Sequence, residues 1–291
     1  MRRLIVNADD FGLTPGVNRA IAESHQRGIV SSTTLMANSR SFAGAVALAR
    51  AMPGLSVGCH VVLVDGCPVL APENVGSLVT SSDEFAGSFG DFAKLALTRR
   101  LRSDEIEAEV TAQIRRLQDN GITVTHVDSH KHVHMLPAVG AAVISAAARC
   151  GVRGIRNPFV PVKPLAFAHL ARRPKLWTRY TETRLLRHYH RQFRKNVVDA
   201  GMTTTDGSFG VVSTGALDLE LFLAIVGSIP DGTWEFVCHP GYVDAELDSI
   251  RTRLRESREK ELQVLTSEQA RQALAERGIE LISYADLVAN D

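Results

Sequence analysis

The chain has 291 residues, of which 45% are hydrophobic and 22% are charged. This composition is typical of a globular protein and excludes intrinsic disorder, a collagen-like repeat and a coiled coil. The 33 basic and 32 acidic residues leave a net charge of +1, so no overall electrostatic field draws the chain to nucleic acid.

Cysteine spacing and apolar runs bear on the cellular compartment. The four cysteines show no C-x-x-C spacing, so we expect reduced thiols rather than a disulfide framework or a cysteine zinc site. The apolar run near Met1 covers only Leu4 to Val6, whereas an export signal needs roughly 7–15 apolar residues and a spanning helix about 20. We therefore expect a cytoplasmic protein, with peripheral contact at the inner membrane surface left open.

Short β-branched runs alternate with stretches of helical periodicity. Predicted strands cover 3–6, 32–36, 55–59, 124–127, 152–155, 234–238 and 279–283. One helix is predicted from Pro15 toward Gly28, and another from a Ser103 cap to Gly121. Strands that alternate with helices predict a parallel sheet.

Polar residues gather where the predicted strands end. They are Asp9, Asp10, His60, Asp128, His130, Arg156 and His239. In a parallel barrel the carboxyl ends of the strands meet at one rim, which is where active sites form. The sequence therefore predicts an α/β fold, an irregular (β/α) barrel with its active site at the C-terminal ends of the strands.

Two segments interrupt this alternation in a chain that we predict to be a single barrel domain over 1–291. A loop insertion at about 61–92 is rich in Gly, Ser and Pro, and its length favours a loop that covers the substrate. A basic helical insertion at about 160–210 has ten basic residues and one acid between Lys163 and Lys195. After Pro174 it predicts a partly amphipathic helix, which is either an ordinary solvated face or a peripheral membrane contact.

Asp9 and Asp10 form a carboxylate pair at the end of the first predicted strand. Adjacent side chains of an extended chain point in different directions, so the two carboxylates cannot make one bidentate contact. One of them could bind a metal ion while its neighbour reaches a water on that ion. A turn or a helix cap is the alternative interpretation.

Three histidines alternate with other residues between His130 and His134. If this stretch is extended, His130, His132 and His134 face the same way, which favours a metal ligand within the cluster. The later histidines could instead support a ligand or line the substrate pocket, the role that we assign to His134. A solvated histidine-rich turn is the alternative.

Two more histidines end predicted strands. His60 completes, with Asp10 and His130, a set of two imidazoles and one carboxylate from three strand ends. Such sites leave coordination positions open for water and substrate. His239 is a candidate general acid, and a buried structural histidine is the alternative.

Four stretches of the chain together resemble the YdjC-like carbohydrate deacetylase family. They are Asn7-Ala8-Asp9-Asp10-Phe11-Gly12, Gly58-Cys59-His60, Thr125-His126-Val127-Asp128-Ser129-His130-Lys131-His132-Val133-His134 and Cys238-His239-Pro240. The resemblance implies an irregular barrel related to polysaccharide deacetylases, a divalent metal ion and removal of an acetyl group from an N-acetylated sugar. It implies Asp10, His60 and His130 as the metal ligands. It also implies Asp9 as the base and His239 as the acid.

Within that family, Arg156-Asn157-Pro158-Phe159 and the basic segment resemble the hopanoid-biosynthesis-associated branch. This resemblance implies an N-acetylglucosaminyl hopanoid as substrate, with a chito-oligosaccharide as the alternative. Independently of this resemblance, we expect Arg156 to orient Asp9 or to contact the substrate. The ion is Mg or Zn, because two imidazoles suit zinc while the family also implies magnesium.

Two other classes of function remain open at this point. A phosphoester hydrolase also uses Asp and His on a barrel rim, but it would usually need more metal ligands and phosphate-binding Arg or Gly loops. A non-catalytic sugar- or lipid-binding protein would follow if the metal site were degenerate. The sequence leaves the oligomeric state open.

Overall fold

Parallel strands form the centre of the computed structural model, which describes residues 1–161, 173 and 175–289. The strands are β1 (Arg2–Phe11), β2 (Ser32–Leu35), β3 (Ser56–Val61), β4 (His126–Ser129), β5 (Gly154–Ile155), β6 (Thr203–Thr204), β7 (Gly207–Phe209), β8 (Gly232–Cys238) and β9 (Ile279–Ile282). Eight of them lie in the order β6-β5-β4-β3-β2-β1-β8-β7, and β9 pairs with β1. One edge of β1 pairs with β8, and its other edge is shared by β9 and β2.

The two ends of this sheet come together, so the strands form a nearly closed barrel. Only Thr205 and Asp206 separate β6 from β7 in the chain. The residues after β5 bridge the seam, because Ser208 donates its backbone N–H to the oxygen of Phe159 at 3.2 Å and its hydroxyl to the oxygen of Asn157 at 2.7 Å. The predicted irregular (β/α) barrel is confirmed.

Helices connect most of the successive strands. They are α1 (Pro15–Gln26), α2 (Phe42–Ala51), α3 (Phe89–Leu97), α4 (Ser103–Asp119), α5 (Pro137–Arg149), α6 (Lys175–Leu186), α7 (His190–Asp199), α8 (Leu219–Ser228), α9 (Ala245–Ser249), α10 (Glu256–Leu265), α11 (Glu268–Glu276) and α12 (Tyr284–Ala289). Among the described residues, none of these helices is both long and apolar enough to cross a bilayer.

The two faces of β1 pack against different surroundings, because successive side chains of a strand point to opposite sides. Leu4, Val6 and Ala8 belong to the main hydrophobic core. Ile5 packs instead in a separate small cluster with Ile282, Tyr284 and Leu287. Asn7 and Asp9, which share the alternation of Ile5, are fully buried and polar. The barrel interior is therefore apolar near the start of β1 and polar toward its end.

The predicted strands are all present, with shifted boundaries. β1 continues to Phe11, five residues beyond the predicted end, because its second half pairs with β2. The prediction that Ser103 caps α4 was wrong. Ser103 is the first helical residue, and the extended residue before it, Arg102, makes no side-chain cap. The two short strands β6 and β7 were missed because they contain only two and three residues.

The long loop between β3 and α3 is held on the surface of α4. Glu109 accepts the backbone N–H groups of Val69 and Leu70 at 2.8 and 3.0 Å. Gln113 accepts that of Val62 at 2.9 Å. These contacts fix the loop along one helix, and its role in covering a substrate stays a prediction.

The basic segment forms α6 directly after Pro174, as predicted, and continues through α7. Residues 162–172 and 174, and with them Lys163 and Arg172, lie outside the described part of the chain. Phe193 of α7 packs against Phe159 with ring centroids 5.7 Å apart. The segment therefore packs beside the seam of the barrel.

Several basic side chains of this segment bind within the protein. Arg173 pairs with Asp218 at 2.8 Å, Arg194 with Asp206 at 3.4 Å and Lys195 with Asp199 at 2.5 Å. Arg179 donates to the oxygen of Thr214, and Arg187 to the oxygen of Val160. These residues contribute to local structure, which leaves fewer basic groups for an external surface.

Candidate active site

Asp9 and Asp10 direct their carboxylates to different partners at the end of β1. Asp10 has a φ of +68°, in the left-handed region that only a few non-glycine residues adopt. This turn of the backbone sends Asp10 toward His60 and His130, while Asp9 faces Arg156. The two neighbouring residues therefore bind to different groups, as the sequence analysis expected.

Asp10, His60 and His130 meet with their donor atoms almost equidistant. Asp10 Oδ1 lies 3.4 Å from His60 Nε2 and 3.3 Å from His130 Nδ1, and the two nitrogens are 3.4 Å apart. Donors bound at roughly 2.0–2.1 Å lie about 3.4 Å apart around a tetrahedral ion and about 3 Å apart around an octahedral one. Asp10 Oδ1 is buried and accepts no hydrogen bond. The three residues thus fit a divalent metal ion.

A second carboxylate orients His60. Asp128 Oδ1 lies 2.8 Å from His60 Nδ1, which leaves Nε2 to face Asp10 and His130. A carboxylate on the far nitrogen is the usual support of a metal-binding imidazole. Burial lowers the pKa of His60, but the charge of Asp128 and the contact with Asp10 outweigh it and raise the pKa to about 10. The carboxylates around His60 therefore stabilise a positive charge at this site.

Arg156 binds three buried carboxylates at the centre of the barrel. Its guanidinium contacts Asp9 at 2.6 and 2.8 Å, Asp128 at 2.5 Å and Glu235 at 2.7 Å. Burial raises the pKa of Asp9, but Arg156 holds it well below its usual range, so Asp9 is ionised. Arg156 is itself fully buried. This burial favours orientation of Asp9, the first of its two predicted roles, over contact with substrate.

Asp9, His60 and Asp128 form another cluster whose donor atoms lie within metal-binding reach. Both carboxylates of this cluster already bind the Arg156 guanidinium. A cation in that position neutralises them and competes with a metal ion. The set of Asp10, His60 and His130 is therefore the better candidate for the metal centre.

His239 lies directly after β8 and faces the base. Its Nε2 is 3.8 Å from Asp9 Oδ2, and its backbone N–H donates to Glu261 Oε2 at 2.5 Å. Burial, reinforced by the nearby Arg258, outweighs Asp9 and Asp10 and lowers the pKa of His239 to about 4. The candidate acid and the candidate base are therefore close neighbours at the rim of the barrel.

The 130–134 stretch is not extended, so the condition under which its three histidines would share one face is not met. Lys131 and His132 both have a φ of +54°, and the chain turns at this point. His130 reaches Asp10, whereas His134 is buried with Nδ1 2.5 Å from the Ser129 hydroxyl. His134 packs near Phe193. Its role in substrate binding stays a prediction.

Four charged residues of the site were given no role by the sequence analysis. They are Asp128, Glu235, Arg258 and Glu261. Glu235 gave a usable signal, because it is a charge inside the otherwise apolar predicted strand 234–238. Arg258 donates to Asp10 Oδ2 at 2.6 Å from α10, and nothing in its local sequence indicates that contact.

Fold and site together define a (β/α)-barrel protein with a candidate metal centre, a carboxylate and an imidazole at the C-terminal rim. Residues 3–276 match the family model described as YdjC-like protein. The chain belongs to the YdjC-like family.

Two relatives and one solved structure are similar to nearly the whole chain. A carbohydrate deacetylase of Geobacillus stearothermophilus is 36% identical over 286 residues, which is 98% of each chain. A chitooligosaccharide deacetylase of Enterobacter sp. (strain 638) is 35% identical over 292 residues, again 98% of each. A crystal structure from Enterococcus faecalis V583, provisionally described as a cellobiose-phosphate cleavage protein, is 28% identical with a TM-score of 0.80 and 99% coverage of both chains.

Proposed function

We propose that this protein is a metal-dependent hydrolase that removes the acetyl group from an N-acetylated sugar. The observation that carries the proposal is the convergence of Asp10, His60 and His130, with Asp9 and His239 facing each other beside them. The deacetylase names of the relatives support the same reaction class.

Hydrolysis of an amide needs activation of both water and substrate. A divalent ion held by Asp10, His60 and His130 would lower the pKa of water and polarise the acyl oxygen. Asp9 takes the proton from the attacking water, because Arg156 keeps its carboxylate ionised and fixed by two hydrogen bonds.

The leaving nitrogen needs a proton, because an amide nitrogen departs poorly as an anion. His239 is placed to supply it through Nε2, the ring nitrogen 3.8 Å from Asp9 Oδ2. Asp9 and His239 therefore have complementary roles, one removing a proton and the other donating one.

The N-acetylglucosaminyl group is the acetylated sugar that we propose. Two kinds of substrate carry such a group: a chito-oligosaccharide and a glycolipid of the hopanoid type. The name of the Enterobacter relative supports the first substrate. The resemblance of the basic segment to the hopanoid-associated branch supports the second.

Acetate release tests this proposal. The protein loaded with zinc or magnesium is incubated with N-acetylglucosamine oligomers and with an N-acetylglucosaminyl lipid in detergent, and free acetate is measured. We expect acetate from at least one substrate and none after chelation of the metal ion. A protein that binds metal and sugar but releases no acetate would instead be a binding protein, and phosphate release from a sugar phosphate would indicate a phosphoester hydrolase.

A further inference from the structure

The helix α10 directs two buried charged side chains toward the rim. Arg258 and Glu261 are only 1% and 2% exposed. They lie three residues apart, so they share one face of the helix. Arg258 contacts Asp10, and Glu261 contacts the backbone of His239. The helix α10, which comes after His239 in the chain, thus forms one wall of the candidate active site.

Glu261 faces the ring nitrogen of His239 that points away from Asp9. Its Oε2 accepts the His239 backbone N–H at 2.5 Å and lies 3.9 Å from His239 Nδ1. Its Oε1 accepts the backbone N–H of Gly215 at 3.4 Å. His239 Nδ1 is buried and has no hydrogen-bond partner. Because an unpaired buried nitrogen is unfavourable, a ring movement of about 1 Å that pairs it with Glu261 would be favourable.

We propose that Glu261 is a positioning residue that holds and supplies the proton passed on by His239. This inference rests on the proposed deacetylase function. The Glu261 carboxyl gives its proton to His239 Nδ1 while Nε2–H gives its proton to the leaving nitrogen and the C–N bond breaks. The step leaves a Glu261 carboxylate, a neutral imidazole protonated at Nδ1 and an amine product.

The proton taken by Asp9 from the attacking water restores the pair. Asp9 Oδ2 is 3.8 Å from His239 Nε2, so a small approach of the two groups after the amine has left returns this proton to the imidazole. The Nδ1 proton then moves back to Glu261, and the only net change is the conversion of amide and water into carboxylic acid and amine. Asp9, His239 and Glu261 therefore complete the catalytic cycle without another proton donor.

The charges around the pair favour a proton on the carboxyl group. Burial, together with the nearby Asp9, outweighs Arg258 and the His239 and Gly215 N–H groups and raises the pKa of Glu261 to about 7. Arg179 is a further charged side chain that interacts with Glu261. Burial also lowers the pKa of His239 to about 4, with Asp9, Asp10, Arg258 and His60 as the other charged groups facing it. Near neutral pH the shared proton therefore resides mainly on Glu261, next to a neutral imidazole.

Replacement of Glu261 by glutamine removes the transferable proton and nearly preserves the size and shape of the side chain. Glu261→Gln retains an oxygen for the His239 backbone N–H but has no transferable proton. We expect acetate release from an N-acetylated sugar to fall about 100-fold or more, while hydrolysis of an activated aryl acetate changes less than about 3-fold, because its leaving group needs no proton. Glu256→Gln, at an exposed position of the same helix, is the matched control and should equal wild type.

A second variant addresses whether Glu261 acts through His239. His239→Ala combined with Glu261→Gln should be no slower than His239→Ala alone, because the proton path is already broken. Glu261→Asp should retain at least ten times the amide activity of Glu261→Gln. It also serves if the glutamine variant fails to fold.

Imidazole ¹⁵N NMR of the zinc-loaded protein gives a readout that does not depend on activity. In wild type, the His239 ring signals should follow the titration of the Glu261 carboxyl, whose pKa burial raises, and this titration should be absent in Glu261→Gln. Wild-type rates in Glu261→Gln, equal losses on amide and ester, or an unchanged titration would overturn the inference. Absence of acetate release by wild type would instead refute the proposed function, and the titration would still test the Glu261–His239 pair.

Discussion

Single residues in the site are held in place by buried partners of opposite charge. Arg156 forms ion pairs with three carboxylates, and Arg258 forms one with Asp10 Oδ2. Burial raises the pKa of Asp10, yet Arg258 and the two histidines keep it well below the usual value. Each buried charge therefore depends on a specific partner, and removal of one partner has consequences that can be measured.

Replacing a candidate metal ligand should have a different effect on metal binding from replacing the candidate base. His60→Ala and His130→Ala each remove one of three donors, so we expect both variants to lose bound metal and activity together. Asp9→Asn should retain the metal and lose turnover by about 10²- to 10⁴-fold, because its role is proton transfer. Elemental analysis and acetate release measure the two properties.

His132→Ala provides a control from the same histidine-rich stretch, because His132 is not part of the metal-binding group. It should bind metal like wild type. A full metal complement in His60→Ala or His130→Ala would show that the ligand assignment is wrong. Metal loss in Asp9→Asn would mean that Asp9, not Asp10, is the carboxylate ligand.

Arg156→Met should destabilise the fold strongly at neutral pH. The change leaves Asp9, Asp128 and Glu235 buried without their cation, and breaking a buried ion pair in this way costs about 3–5 kcal/mol. Arg156→Lys keeps the charge but not the two-nitrogen fork, so we expect an intermediate loss. Urea denaturation monitored by circular dichroism measures the free energy of unfolding.

The pH dependence of that loss follows from the pKa of Asp9. Because its pKa in the fold lies below the ordinary value of 3.8, Asp9 contributes stability that is present above that value and is lost as the pH falls through the folded pKa. The gap in unfolding free energy between Arg156→Met and wild type should therefore narrow as the pH falls below that ordinary value. A gap that is constant with pH would assign Arg156 a packing role instead.

At the scale of elements, a close approach between β3 and β4 explains the glycine before Cys59 and His60. A Cβ on Gly58 would lie 2.6 Å from the His126 ring. That ring cannot withdraw easily, because it stacks on Tyr284 with centroids 3.7 Å apart and an interplanar angle of 10°. The motif Gly58-Cys59-His60 thus requires a residue without a side chain to keep His60 in place.

Gly58→Ala should therefore lower the free energy of unfolding by about 1–3 kcal/mol, as expected when a core is overpacked. Gly54→Ala is the matched control, because a Cβ there would meet its nearest atom at an ordinary 3.6 Å. Thermal and urea denaturation of both variants provide the comparison. Equal stability of the two variants would contradict the close approach.

At the scale of the whole molecule, the basic segment presents exposed arginines beside the barrel seam. Arg184 and Arg191 are exposed, as are Trp177 and Leu185 at 36% and 77%. Such a surface can contact an anionic bilayer, because each basic residue near it contributes about 1 kcal/mol. This contact would suit a glycolipid substrate.

Vesicle sedimentation tests that contact. We expect wild type to bind anionic but not neutral vesicles at low salt, and Arg184→Gln with Arg191→Gln to weaken binding by about 2 kcal/mol, roughly 30-fold. Binding should also fall with added salt, since screening acts within about 10 Å at 0.1 M. Arg40→Gln with Arg100→Gln, at exposed positions elsewhere, is the control. Wild type that ignores anionic vesicles would favour a chito-oligosaccharide substrate.

Much of the fold and part of the candidate site could be predicted from the sequence. Alternating strand and helix patterns predicted the barrel, and polar residues at the ends of the predicted strands, such as His60, Asp128 and His239, indicated its functional rim. These features are local, because the end of a strand and the residue that follows it are adjacent in the chain. The same locality made Asp9 and Asp10 visible as a pair.

Only the tertiary structure decided which of these groups meet. Arg258 contacts Asp10 across 248 residues of chain, and a helical Arg in a sequence without a local motif carries no sign of its partner. The turn at Lys131, which brings His130 alone to the metal group, depends on a left-handed backbone that neither Lys nor His requires. Local pattern determines the elements and the residues at their ends. Long-range packing sets the burial, and with it the charge pairing of Arg156, Arg258 and Glu261, because both arise from surroundings that are distant in sequence.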